Sequence, residues 1–583
     1  MKLYASGGEL ATLEAALSAA QGGMRAPAAV ALAWQLRQRD SARAMALIDA
    51  AEPLLASPAL ASQSARALRT RSALIACEVS ALFCRFDAAE AQLAAARANL
   101  VPAIDPMAEG DAWLAEAIVA KARGEREREL SAYDRGVAFF KTGADPTRLA
   151  LAQIWAGYER AFAQPDAELA PGILAPAATD ADAHAAWDAL WSAARALTLS
   201  RREPAQAADT FLHASDQAQR VGMVRHAVVC TMNAGTALQG LGDFDLAADC
   251  FDVAATLARQ TGWPALIGSS QTRLGGFLKE LGRLEESRAV LSEALTSLAV
   301  TPAGINTANA CSALAQTLLA MGRGAESIEP MANAIRLYRD ARSTDNLALN
   351  LIGQARALSA AGQPQQALAT IDEAEMLIEK HGFTALGVGI NEALAEIHQQ
   401  HTLAPPAGMA APTAALHYAE ATLREGLLIN GWRPPASLYV QLADNWAAAG
   451  DLARAYEYAR KALAVKEQEG AQKLHHPLAV LRLRRESETL QGGATGAPHP
   501  AHAPEGGDPG AAPLSSKILT RKEREILQLL ARSYSNKEIA TALDVSDETV
   551  KWHLKNMFNK LEAGSRKHAV TRARTLGVIS FSS

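Results

Sequence analysis

The sequence predicts an all-α protein: a long helical solenoid, a flexible linker, and a small four-helix domain at the C-terminal end. Three observations lead there. Alanine and leucine dominate a chain that is 49% hydrophobic but only 5% aromatic, and both residues lose little conformational freedom in a helix. A pattern of glycines and small residues recurs every 40 residues through the middle. Finally, a Gly/Pro/Ala-rich tract separates an acidic body from a basic end. At 583 residues the chain is too long for one compact core, so an array or several domains must share the burial.

Bulk properties exclude several classes of function. The net charge of −5 conceals an asymmetry: residues 517–583 hold 13 Lys+Arg against 7 Asp+Glu, and the rest of the chain holds 44 against 55. A basic module on an acidic body suits a nucleic-acid-binding protein with a regulatory part. The five cysteines, Cys77, Cys84, Cys230, Cys250 and Cys311, form no C-x-x-C pair; they read as reduced core thiols of a cytoplasmic protein. The first residues lack the apolar run of a signal peptide, and no stretch is long and apolar enough for a membrane helix. His398 with His401, and His475 with His476, have no third ligand at metal spacing. Neither a phosphate-binding G-x-x-x-x-G-K-[ST] nor a G-x-S-x-G occurs, and Gly22-Gly23 is no substitute. The expectation is a protein with no enzymatic activity, cofactor or metal.

The solenoid is expected over residues 1–490 and is clearest over 205–385. Gly242, Gly282, Gly322 and Gly362 lie 40 residues apart. Each follows a leucine by four residues (Leu238, Leu278, Leu318, Leu358) and precedes a small residue by five (Ala247, Ser287, Ser327, Ala367). Nine residues on come Phe251, Leu291, Met331 and Ile371, and twelve on come Ala254, Ala294, Ala334 and Ala374. The glycine can end one helix in the left-handed conformation. The small residues let the next helix approach closely while the large one between them fills a groove. One helical pair cannot bury both its faces, so stacked copies share a continuous core. The pattern resembles the tetratricopeptide repeat stretched from its usual length. A further copy surrounds Gly450, and weaker echoes lie near Arg39, Cys84, Gly124, Gln164 and Arg202. By that resemblance Gln239, Lys279, Asn309, Gln316 and Arg356 would face the concave groove, where a small molecule, a peptide or a protein partner could bind; a merely solvated face is the alternative.

Residues 491–516, QGGATGAPHPAHAPEGGDPGAAPLSS, cannot bury apolar area and are expected to form a flexible tether. Beyond it, residues 517–583 show four helical segments. Thr520 with Glu523, and Ser535 with Glu538, form capping boxes. Ile526, Leu527, Leu529 and Leu530 line one face of the first segment, and Ile539, Ala540 and Leu543 turn inward from the second. Ser546 caps a third, whose stripe is Val550, Leu554, Phe558 and Leu561. Ser565 caps a fourth, Arg566–Leu576. A short helix, a tight turn and a longer helix with basic residues opposite its apolar stripe make a helix-turn-helix.

The elements KEREILQLLA, SNKEIA, TVKWH and the later KL…R…AV, in this order, resemble the LuxR-type helix-turn-helix, also called the GerE or NarL/FixJ type. The resemblance implies base contacts from Lys551, Trp552 and Lys555, and backbone contacts from Ser535, Asn536, Lys537, Thr549 and Asn556. It implies that the fourth helix supplies a dimer contact, so a homodimer would span two half-sites of double-stranded DNA. Larger regulators that join such a domain to helical repeats form the MalT-like group, which usually carries an N-terminal ATPase; no ATPase motif occurs here. The sequence thus predicts a cytoplasmic, sequence-specific transcriptional regulator, an activator under the control of an effector or partner, with RNA polymerase a further candidate partner. The alternative is a repeat scaffold whose business is protein binding, with DNA contact secondary.

Overall fold

The computed structural model describes residues 1–55, 61–143, 145–163, 180–200, 202–406, 408–429, 432–474, 521–531, 534–536, 538–539, 550, 554, 557 and 566–575. Among these residues no strand occurs. The described residues form twenty-two α-helices from Gly7–Ala19 to Leu452–Leu474, and two more, Arg521–Ala531 and Arg566–Thr575, toward the C-terminal end. In the array each helix packs on its neighbours in sequence, as Val224–Gly240 does on Phe244–Thr261 and Pro264–Glu280 on Leu284–Leu298. The result is a solenoid of helical pairs.

The 40-residue period has a local cause. Gly242, Gly282, Gly322 and Gly362 have φ of 77°, 76°, 74° and 76°. Around each, two reversed hydrogen bonds close the helix: Asp243 N donates to Leu238 O at 3.0 Å and Gly242 N to Gln239 O at 3.0 Å, and the pattern recurs at Arg283, Arg323 and Gln363. This is the Schellman motif, in which the leucine four residues before the glycine supplies the receiving carbonyl. The next helix then begins in a fixed direction, and its small residues are completely buried: Ala247, Ser287, Ser327, Ala367 and the four alanines from Ala254 to Ala374 are all 0% exposed. Between them Phe251 and Leu291 press on the preceding helix at Gly235 and Gly275, and Met331 on the following one at Gly353. A Cβ built on Gly275 would stand 2.5 Å from Leu291 Cγ, so a small residue is needed there for the helices to meet.

A second series of left-handed turns joins one pair to the next. Gly222, Gly262 and Gly382 carry it, and at the same spacing Arg342 adopts φ 54°. Cys84, at φ 59°, likewise takes the place that glycine fills at Gly124. Of the residues just before the first series of glycines, Leu241 is 45% exposed and Leu281, Met321 and Ala361 are half-buried. All five cysteines are free thiols, four of them buried, and no helix of the described residues is long and apolar enough to cross a membrane.

Among the described residues, buried side chains form five clusters along the array, two of them small groups around Trp263 and Tyr133. The largest runs from Leu3 to Val290, a second from Ala308 to Ile397, and a small third joins Ala395 to Ala455. In the first, His226 is buried, its ring 4.8 Å from that of Tyr158 and its Nε2 3.2 Å from Ala189 O. Burial lowers its pKa from the ordinary 6.5 to about 4. Below pH 6.5 the unfolded chain therefore takes up a proton that the folded chain refuses until about pH 4, and stability falls across that window. Wild type is expected to lose on the order of 3 kcal/mol more than His226→Phe between pH 7 and pH 4, measured as urea midpoints; parallel profiles would remove His226 from the acid sensitivity.

Candidate nucleic-acid interface

The C-terminal domain has its own core, in which Ile526, Leu527, Leu530, Ile539, Val550, Leu554, Met557, Ala569 and Ala573 are buried together. Val550 and Leu554 are 0% and 6% exposed, as the apolar stripe requires, and Met557, Ala569 and Ala573 complete a core that the spacing alone did not reveal. Leu529 packs only at its edge. The second capping box is formed in both directions: Ser535 N donates to Glu538 Oε2 at 2.7 Å, and Glu538 N donates to Ser535 Oγ at 3.3 Å. The first of these bonds lowers the pKa of Glu538, keeping it charged where the helix needs an anion. Arg566 ties the fourth helix to this turn by donating to Asn536 Oδ1 and to Tyr534 O.

Of the residues expected to touch DNA, Ser535 and Asn536 are exposed and half-buried respectively. Lys537, Thr549, Lys551, Trp552, Lys555 and Asn556 lie outside the described residues, as do Thr520, Ala540, Leu543, Ser546, Phe558, Leu561, Ser565, Leu576 and the whole tract 491–516.

A family model described as "Bacterial regulatory proteins, luxR family" matches residues 517–573. Residues 517–573 are a LuxR-family regulatory domain. The LuxR-family segment is 47% identical over 57 residues to the response regulator protein VraR of Staphylococcus aureus, and equally to those of Staphylococcus saprophyticus and Staphylococcus epidermidis. That match covers 10% of this chain and 27% of each VraR, so the chain spans about a quarter of the length of these curated relatives. Upstream of the LuxR-family domain, the array is similar to a Rap protein complexed with competence and sporulation factor, at 10% identity and a TM-score of 0.46 over 63% of this chain and 100% of that one. It is similar also to the apo quorum sensor NprR from B. thuringiensis, at 13% identity and a TM-score of 0.44 over 62% and 99%. So distant a likeness says nothing of function.

The fourth helix of the LuxR-family domain does not stand apart from the array. It lies against Phe244–Thr261, where His568 Nε2 meets Asp249 Oδ2 at 2.5 Å. Both side chains are buried. The same array helix carries Asp245 and Asp252 four residues before and three after Asp249, which gives the basic domain an acidic face.

The expected effector row is only partly assembled. Lys279 Nζ donates to Gln316 Oε1 at 2.8 Å, and Gln316 Nε2 to Ser312 Oγ at 3.2 Å. Asn309 instead accepts from the Tyr338 hydroxyl at 2.6 Å, and Arg356 pairs with Glu392 at 3.0 Å. Gln239 is half-buried. A shallow cleft lies elsewhere, lined by Asp345, Asn346, Leu349, Gly382, Phe383, Ala385 and Leu386. Among the described residues no three His, Cys, Asp or Glu side chains cluster as metal ligands would. His401 bonds to Ser359 O at 3.0 Å, and His398 stacks on Tyr418.

Proposed function

We propose that the chain is a sequence-specific DNA-binding transcriptional regulator, acting as a dimeric activator under the control of an effector or partner held by the helical array. The observation that carries this is the LuxR-family domain over 517–573 on the end of a solenoid. In this reading Lys551 and Lys555 donate to base edges and Trp552 packs against them. Ser535, Asn536, Lys537, Thr549 and Asn556 hold the sugar-phosphate backbone. RNA polymerase is the partner an activator would contact, and Gln239, Lys279, Asn309, Gln316 and Arg356 remain the proposed lining of an effector groove.

The bond between His568 and Asp249 supports a mode of control. Helix Arg566–Thr575, which by family resemblance joins two domains on DNA, rests on the array. Docked in this way it is withheld from a second copy, and an effector acts by favouring release. Genomic footprinting of the full chain supplies a target site for the test. Binding to that site is expected to weaken steeply with salt as phosphate counterions are released. Asp249→Asn is expected to tighten it at least about fivefold, the lower end of ordinary coupling between sites. Binding that ignores sequence would return the chain to the scaffold class, and an unchanged affinity in the variant would remove the docked contact from control.

A further inference from the structure

Residues 1–6, Met-Lys-Leu-Tyr-Ala-Ser, precede the first helix and belong to none. Such a segment has main-chain groups that no helix satisfies, and here side chains from elements far along the chain take them up one after another. Arg148 Nη2 donates to Met1 O at 2.6 Å. Trp34 Nε1 and Gln35 Nε2 donate to Lys2 O at 2.9 and 2.8 Å. Arg37 Nη2 donates to Leu3 O at 3.1 Å, and Arg39 Nη2 donates to Ala5 O. At the far end Ser6 N donates to Asp182 Oδ2 at 3.1 Å. Burial alternates as it does in an extended chain, with Leu3 and Ala5 inside and Lys2, Tyr4 and Ser6 less buried.

The groups that hold the segment are built for this task. The donors Trp34, Gln35, Arg37 and Arg148 and the acceptor Asp182 are all buried, where an unpaired polar group is costly. The two buried guanidiniums are aimed by carboxylates: Glu78 holds Arg37 Nε at 2.7 Å, and Asp111 holds Arg148 Nε at 3.0 Å. The Trp34 ring packs under Arg37, 4.3 Å from centroid to guanidinium. Main-chain carbonyls gripped in series, with apolar slots for alternate side chains, is how a protein holds an extended peptide.

We propose that this groove is a peptide-binding site, occupied here in cis by residues 1–6, whose ligands are short extended peptides with an apolar side chain in the Leu3 position. The site stands whether or not the chain regulates transcription; should it do so, a peptide that displaces the segment becomes a natural input. A tethered occupant sits at an effective concentration near millimolar, so the intact chain resists competitors.

The test is fluorescence anisotropy with a synthetic peptide, MKLYAS, labelled at its C-terminus and free of any DNA. The full chain lacking residues 1–6 is expected to bind it at micromolar concentration, and the intact chain at least about tenfold more weakly. Trp34→Phe, made in the shortened chain, keeps the ring and deletes the donor; it is expected to weaken binding several-fold. A peptide with Asp at the Leu3 position should fail to bind, whereas alanine at the Lys2 position should bind as before. A shortened chain that melts cooperatively yet ignores the peptide overturns the proposal. If shortening prevents folding, full-length Leu3→Asp takes its place as receptor, and its failure to bind the peptide overturns the proposal equally. Loss of DNA binding with peptide binding intact would sink only the regulatory function.

Discussion

Replacing Lys551 and Lys555 together by alanine is expected to lower the affinity for a target site by roughly a hundredfold or more, each lysine contributing about 1–3 kcal/mol. The reason is geometric as well as electrostatic. Val550 and Leu554 are buried in the domain core, which fixes the side of the third helix that turns inward and leaves the neighbouring lysines as the proposed contacts to base edges. Deleting them removes directional donors as well as charge, so preference among sequences is lost along with affinity. A phosphate-only role makes a different forecast: a uniform weakening on every sequence and a salt slope smaller by about one per lysine. Binding isotherms on target and random duplexes at three salt concentrations separate the two. Full binding by both single variants would refute the placement of this helix in the major groove.

The largest effect on stability is expected at Arg71. Its side chain is 1% exposed, and it donates to both oxygens of Asp105 and to Asp111, which also receives Arg148 at 3.0 Å. Arg71→Ala leaves half-buried Asp105 without its partner and buried Asp111 with Arg148 alone, at a cost on the order of 3 kcal/mol, visible as a large drop in the urea midpoint. Arg71→Met, which keeps the volume, removes the same two ion pairs and is expected to recover little. Burial opposes the charge on Asp111, yet the Arg148 and Arg71 guanidiniums outweigh it and hold its pKa below the ordinary 3.8. The sign follows: the stability contributed by Asp111 is present above the ordinary value and is lost as the pH falls below it toward the lowered one. Asp111→Asn should flatten that acid limb, and a limb unchanged in the variant would assign the acid loss to other groups.

What the sequence made legible is what short-range stereochemistry controls. The glycines from Gly242 to Gly362 stand out because a left-handed turn excludes most side chains, and the buried alanines because two helix axes meet there. The Ser535–Glu538 box was equally plain, since both partners lie within one turn. The second series of turns was obscured where Arg342 adopts a glycine's conformation, and the first where Cys84 does. Nothing local marks residues 1–6 as a bound segment, for their partners at Arg37, Arg148 and Asp182 arrive only through the winding of the array. The bonds within the polar row were hidden for a related reason. Lys279 and Gln316 sit on different repeats, and only the packing distance between those repeats decides that they bond to each other.

The division of the array into unequal cores gives it a mechanical grain. Contacts pass mostly between adjacent helical pairs, so each region melts according to the apolar surface it shares with its neighbours. The body around Leu3–Val290 is the anchor, and the last pair, ending at Leu474, is secured by a small cluster. Heat or pulling would therefore peel the array from its last pair first, while the body on which helix Arg566–Thr575 rests still held its shape.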